Sequence, residues 1–515
     1  MQTESYSRPY LAVSRASDLS GGNRTLYRAL EMLPAILSYG TLILLIVLSF
    51  FFPSFIAFFT IAFSVYWLGK TIFLSIHLYH NFKRLRHNMA LDWQERLKSF
   101  PKERRDQIAH VVLFPFYNEP YEVMEPSVRA IAENEYDSKR IAVVLAAEER
   151  AGEDALKVAE RVRSEYQDKF LDIIISVHPA DVPGELAGKG SNIAFAGDEA
   201  RRRILDVRNI SYDDAIVSAF DVDTVAYPKY FACLTWYFLS AKDPHKVSFQ
   251  PVPLYNNNIW SAPTLSRLLA YSSTFWQMIE QERPERLCTF SSHAMSMRAL
   301  YDVGYWQKNM VSEDSRIFWN LYMANDGDYS VVPISYPVSM DANVTSSFWG
   351  TVKNLYKQHR RWSYGAENIP YVIFHFIKNP RIALRQKIHH TCIQLEGFWS
   401  LATHPLILFA VGWLPLLVGG HVFNASVLSY NLPIIATWFL SLATLGLLVL
   451  AVFFVYLIPE RPKEYPMRKS TLMFFQWVLV PLTMVIFSSI PGLDAQGRLF
   501  LGKYLGFWVT PKIRG

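Results

Sequence analysis

Two apolar blocks flank a long central stretch that has none of their density. Residues 33 to about 78 are almost unbroken apolar sequence, interrupted by Pro53 and Lys70. At about 20 residues per crossing, this block predicts two membrane helices with a tight turn near Phe52-Pro53-Ser54, and Lys70 is expected to snorkel towards a headgroup. Residues 107 to about 365 hold no run long enough to span. There, short strand-like runs (110–114, 141–146, 171–177, 216–220) alternate with helical stretches (127–134, 153–166, 193–203). That order predicts an α/β domain with a largely parallel sheet, long enough for one large core. Apolar density returns after residue 371. Segment 369–377, with its basic tail, reads as a helix on the membrane surface, and 399–417 and 432–457 read as spans. Segment 472–490 is long enough to cross but contains Pro481 and ends at Pro491. Crossing would place Arg498, Lys503, Lys512 and Arg514 outside, against the positive-inside bias, so an interfacial or re-entrant helix is expected.

The predicted organisation is a polar tail at 1–30, expected to be poorly ordered, and two membrane helices at 31–80. A cytoplasmic domain at 81–368 follows, then an interfacial helix with two spans at 369–457 and a membrane-associated helix and tail at 458–515. The basic run from Lys83 to Arg105 faces the cytoplasm by the same bias. Composition agrees with a mixed protein: the 515 residues are 51% hydrophobic and 15% aromatic, too apolar for an ordinary soluble enzyme. A net charge of +6 does not call for nucleic acid. Cys233, Cys288 and Cys392 are three scattered cysteines with no zinc spacing or disulfide framework. No cleavable signal peptide is expected.

Asp221-Val222-Asp223 ends the strand at 216–220. Strand ends are where α/β sheets present ligand groups, and alternate residues of extended chain point the same way. Two carboxylates there suit a hard divalent ion whose shell phosphate oxygens complete; a solvated acidic turn reads the same residues. Tyr117, Asn118 and Glu119 follow the first strand, in a turn able to border a nucleoside or simply to turn. Glu148 and Glu149 follow the second, in what also reads as a charged loop. Gly188-Lys189-Gly190-Ser191 precedes a helical run, where backbone N–H groups favour phosphate and Ser191 can cap; P-loop spacing is absent. In Ser312-Glu313-Asp314 a carboxylate is either a helix cap or a general base for an acceptor hydroxyl. Gln358-His359-Arg360-Arg361-Trp362 offers an amide, a phosphate-binding fork and an aromatic platform, or a basic membrane flank.

The order FPFYNE, DVD, SED, QHRRW between apolar spans resembles the membrane-integrated processive glycosyltransferases of family 2, the cellulose, chitin and hyaluronan synthases. Phe507-Trp508-Val509-Thr510-Pro511-Lys512 resembles the gating loop of bacterial cellulose synthases. The resemblance implies a GT-A type domain plus transmembrane helices. It implies Asp221 and Asp223 at Mg²⁺ or Mn²⁺ and the donor diphosphate, and Asp314 as base with Glu313 beside it. Gln358, Arg361 and Trp362 would hold diphosphate and acceptor, Thr510 and Lys512 the nucleotide, Tyr117 and Glu119 the nucleoside, and Lys189 the diphosphate. Glu148 stands where the family has nucleoside-holding aspartates. Ser291 to Arg298 matches the acceptor-pocket segment, where His293 touches the acceptor or is a satisfied core histidine. No regulatory domain is expected after the last span.

The expected function is inverting transfer from a nucleotide sugar, UDP-linked by the resemblance, to a growing polysaccharide. Export through a path lined by Trp399, His404 and Trp413 is also expected. The location is the cell (inner) membrane, with membrane lipids as partners. Transfer of one sugar to a lipid-linked acceptor and a non-catalytic glycan translocator are the alternatives.

Overall fold

The computed structural model describes residues 9–506. Eight strands form one sheet: β1 (Ala109–Phe116), β2 (Ile141–Glu148), β3 (Asp172–His178), β4 (Ala215–Ala219), β5 (Val225–Ala226), β6 (Val247–Leu254), β7 (Ala294–Ser296) and β8 (Ser330–Ser339). Their order is β3-β2-β1-β4-β7-β6-β8-β5. The β3-β2-β1-β4 half is parallel, and β7 runs antiparallel to both β4 and β6. The helices that bear on the site are α1 (Gly21–Phe51), α2 (Pro53–Ala90), α3 (Lys189–Ala200), α4 (Glu313–Ala324), α5 (Phe348–Ser363), α6 (Asn368–Lys378), α7 (Leu384–Phe409), α8 (Val427–Leu457) and α9 (Met467–Phe500, broken by short irregular turns).

Parallel strands covered on both faces need apolar residues at every position, and β2 is buried along its whole length. Period two divides them between two cores. Val111, Leu113 and Val144 pack with α3 and α4; Val112, Phe114, Val143 and Leu145 pack with helices Tyr121–Ala132, Gly152–Tyr166 and Tyr230–Ser240. Because β1, β2 and β4 run parallel in register, their C-terminal ends share one edge, with Tyr117, Glu148 and Asp221 along it.

Four helices, α1, α2, α8 and α9, are long and apolar enough to cross a membrane. The α7 helix with Val411–Val418, bent by 41°, would make a fifth. By length and composition α9 qualifies as a span, where charge bias favours an interfacial helix. Lys70 Nζ lies 3.2 Å from Glu396 of α7. Two expectations are corrected. The α6 helix does not lie on a surface: Tyr371, Val372 and Phe376 are buried in the same core as β1 and α4, because its apolar residues meet α4 directly. The N-terminal tail, from residue 9, is packed rather than loose. Leu11, Val13 and Ala16 are buried, and Arg316 of α4 donates to the Val13 carbonyl (3.1 Å).

The same arginine donates to Asn368 Oδ1 (2.6 Å), Gln307 Oε1 (3.0 Å) and the Glu367 carbonyl (3.2 Å), and lies 3.9 Å over the Tyr371 ring. Glu31 of α1 accepts from the Ala16 N–H (3.0 Å) and from the Tyr504 hydroxyl (3.0 Å). Arg28 donates to the carbonyls of Leu499 and Phe500. The first and last described segments therefore meet beside α4.

Candidate active site

The β4 strand stops at Ala219, and the Phe220 N–H makes one more bond to the Leu113 carbonyl (3.0 Å). The Thr224 N–H then bonds the Asp221 carbonyl (2.8 Å), closing a turn, with Val222 buried against the core beneath. Asp221-Val222-Asp223 is thus a turn, not extended chain, so strict alternation is not what aims the two carboxylates. Both nevertheless line one cavity. Asp223 Oδ2 accepts from the Asp341 N–H (3.0 Å). Asn257 Nδ2 links the Asp223 carbonyl (2.8 Å) to Asp341 Oδ1 (2.8 Å). Ser291 donates to Asp221 Oδ2 (2.7 Å).

Lys189, the first residue of α3, joins this turn to α4. Its Nζ lies 2.7 Å from Asp221 Oδ1 and 3.0 and 2.9 Å from the two oxygens of Asp314. Burial acts to lower the Lys189 pKa, but Asp221, Asp314 and Glu313 outweigh it and raise the value. The ammonium is therefore charged at neutral pH. Gly190 permits the close approach of α3: a Cβ there would lie 2.9 Å from the Gln307 carbonyl oxygen and 3.1 Å from Glu313 Cβ. A backbone carbonyl yields little, so Gly190→Ala is expected to cost about 1–3 kcal/mol, read as a lowered thermal unfolding temperature in detergent.

Glu313 is 1% exposed, and its Oε2 has no hydrogen-bond partner. Burial, and next the Asp314 charge, hold its carboxyl well above the usual range, at about 8. The folded value exceeds the unfolded one. Its stabilising contribution is therefore complete below pH 4.5 and lost as pH rises through about 8. Glu313→Gln removes that loss. Melting curves of the two proteins should coincide at the acid end and separate as pH rises, with the Gln variant the more stable.

Glu119 accepts from the Tyr117 N–H (2.7 Å), Glu148 accepts from Arg150 (2.6 Å), and Arg150 lies 4.9 Å over the Tyr117 ring. These residues form one wall of the cavity. The opposite wall is α5: Asn343 donates to Gln358 (3.3 Å), and Trp362 meets Phe290 edge-on, centroids 6.2 Å apart. Arg361 and Trp362 line the cavity. Burial lowers the His359 pKa to about 4, so that ring is neutral.

Tyr117, Glu119, Glu148, Lys189, Asp221, Asp223, Glu313, Asp314, Gln358, Arg361 and Trp362 all line this one cavity, of about 1310 Å³. Thr510 and Lys512 lie outside the described residues. His293 is fully buried, with Nδ1 on the Phe290 carbonyl (2.8 Å) and Nε2 accepting from Trp306 Nε1 (3.1 Å). Both ring nitrogens are used, and the satisfied core reading describes it. Ser191 does not cap; α3 starts two residues earlier, and Ser191 Oγ bonds the Leu186 carbonyl (2.8 Å). Sequence reasoning missed Tyr255, Asn257 and Asp341. None sits in a recognisable motif, and only the pairing of β6 with β8 brings them beside Asp223.

Among the described residues, no group of three or more His, Cys, Asp and Glu side chains converges as a metal cage. Two carboxylates with phosphate oxygens completing the shell is nevertheless a usual donor set for Mg²⁺. Asp221 and Asp223 are the side chains that could supply it, and the Lys189 ammonium lies 2.7 Å from Asp221 Oδ1.

A search of curated proteins found no match. Among solved structures, the chain is similar to the mannosyltransferase PcManGT from Pyrobaculum calidifontis, in complex with GDP-Man and Mn²⁺. The identity is 15%, the TM-score 0.42, and the match covers 77% of this chain and 99% of that one. It is also similar to S. aureus TarS 1-349 in complex with UDP-GlcNAc, at 11% identity and TM-score 0.37 over 77% of this chain and 93% of that one. The family model described as glycosyl transferase family group 2 matches residues 216–489, more than half of the chain, from the strand before Asp221 into the final long helix. With its mostly parallel GT-A-like sheet and its long apolar helices, the chain belongs to glycosyl transferase family group 2 and is a glycosyltransferase.

Proposed function

We propose that the chain is an inverting membrane glycosyltransferase that moves a sugar from a nucleotide diphosphate donor, UDP-linked by the family resemblance, to a growing polysaccharide. The supporting observation is that Asp221, Asp314 and Lys189 meet within hydrogen-bond distance in the cavity that Tyr117 and Trp362 also line. Tyr117, Glu119 and Glu148 border the nucleoside. Asp221 and Asp223 hold Mg²⁺ or Mn²⁺, which when bound neutralises charge on the leaving diphosphate. Lys189, Gln358 and Arg361 bind the diphosphate oxygens, and Trp362 carries the acceptor sugar. Asp314 takes the proton of the acceptor hydroxyl. The hydroxyl oxygen bonds the anomeric carbon as the bond to the diphosphate oxygen breaks, and the configuration inverts. By the family resemblance, Thr510 and Lys512 contact the nucleotide, and the site faces the cytoplasmic side of the inner membrane.

The acceptor path is read from the other end of the cavity, which continues between α2, α7, α8 and α9 to Lys70, His404, Thr444 and Met484. His404 lines it and Trp399 backs His404, centroids 4.9 Å apart. Trp413 instead donates to the Leu408 carbonyl (2.7 Å) and is not a lining residue. A cavity among membrane helices equally suits a lipid-linked acceptor, which is the second reading. Membranes carrying the protein, given a panel of nucleotide sugars with Mg²⁺ or Mn²⁺, should release one free nucleotide. A product ladder supports the polymerase, a single glycolipid the lipid transferase, and no release in any arm defeats both.

A further inference from the structure

We infer that Lys189 is a positioning residue that changes partners during the reaction: it holds Asp221 and Asp314 before the donor arrives, and surrenders both when the donor's diphosphate takes its ammonium. This rests on the reading above, in which Asp314 is the base and Asp221 faces the divalent ion.

Three contacts join these side chains. Both Asp314 oxygens lie 2.9–3.0 Å from Lys189 Nζ, and Asp221 Oδ1 lies 2.7 Å from it. An ammonium has three N–H donors, so these contacts use them all. Asp221 Oδ2 is taken by Ser291. Lys189 Nζ sits against both Asp314 oxygens, so an acceptor hydroxyl must displace it to reach the carboxylate. A divalent ion and an ammonium also compete for the same Asp221 oxygen. The residue read as base and the residue read as ion ligand are thus both blocked by one side chain.

That side chain can leave without the backbone moving. The start of α3 is pinned, since Gly190 already lies against Gln307 and Glu313. Lysine has a flexible four-carbon stem with rotatable donors, so a rotamer change is enough. Lys189 also starts a twelve-residue helix, whose N-terminal N–H groups favour an arriving phosphate. Diphosphate therefore draws the ammonium towards itself and frees Asp221 for the ion and Asp314 for the acceptor. The order that results is donor first, base second, which keeps the base closed while no donor is bound.

The consequence is a coupling between nucleotide and metal. Free Mn²⁺ is measured by electron paramagnetic resonance over the purified full-length protein, with UDP and GDP as the nucleotide probes. In the wild type, one of these nucleotides should raise Mn²⁺ affinity strongly. In Lys189→Met, Mn²⁺ should bind roughly 5- to 150-fold tighter without nucleotide, and the nucleotide's enhancement should shrink. Lys189→Arg keeps the charge and should restore weak nucleotide-free binding, which a merely structural role would not predict. Unchanged or weaker Mn²⁺ binding in Lys189→Met overturns the exchange. Lys189→Gln serves the same comparison if the Met variant does not fold. Asp221→Asn separates the two levels. If it abolishes Mn²⁺ binding while the Lys189 variants change nothing, only the exchange fails; if it leaves Mn²⁺ binding intact, the ion-site reading fails and takes the exchange with it.

Discussion

Asp314→Asn is expected to lower sugar transfer by about 10²- to 10⁴-fold, the usual range for a positioned general base, while nucleotide binding persists. Asparagine keeps the shape of the side chain, so α4 and the Ser312 contact to Glu367 (2.7 Å) survive, but the amide cannot take a proton. The loss should fall in kcat rather than KM, because the base acts on the acceptor in the transition state and not on the donor's nucleotide. Nucleotide release from the identified donor, followed over a concentration series, checks this. Unaltered turnover would remove Asp314 from the chemistry and leave Lys189 bridging two structural carboxylates.

Arg316→Ala should be the most damaging change outside the cavity. The side chain is fully buried and ties the N-terminal segment, α4 and α6 together through Val13, Gln307, Asn368 and Glu367. Removing one member of a buried charged network costs about 3–5 kcal/mol, against a total margin of about 5–15 kcal/mol for a typical domain. Burial already raises the Glu367 pKa, and Arg316 opposes that rise. The variant should melt at a clearly lower temperature and expose the segment around Val13 to added protease, both measurable on purified protein. A melting temperature equal to wild type would show that the segment is held by its apolar contacts alone.

The β3-β2-β1-β4 half of the sheet was legible because each of those strands is a short apolar run set between helical stretches, and that pattern is local; β5 to β8 were not read, since β5 and β7 are two and three residues long and β6 and β8 are interrupted by prolines. The cavity lining was legible to the extent that it sits at strand ends and helix starts: Tyr117, Glu148, Asp221, Lys189 and Asp314 each lie at or beside the end of an element. What could not be read is what depends on distant pairing. Asp341 reaches Asp223 only through the alignment of β6 with β8. Lys70 finds Glu396 only because α2 and α7 pack side by side. The polar N-terminus read as loose because its partners, Arg316, Tyr371 and Tyr504, lie hundreds of residues away. His293 could be settled only by coordinates, since one residue type serves a core and a pocket equally well.

The meeting of Glu31 and Arg28 with the segment from Leu499 to Tyr504 bears on biogenesis. The ribosome delivers the α1 side of this clasp 471 residues before the Leu499 side. The nascent chain must therefore hold the brace beside α4 half made until residues 499–504 are synthesised. A ribosome stalled before residue 499 leaves a product whose early helices lack their closing partner, and such truncated chains should be the ones that membrane proteases remove first.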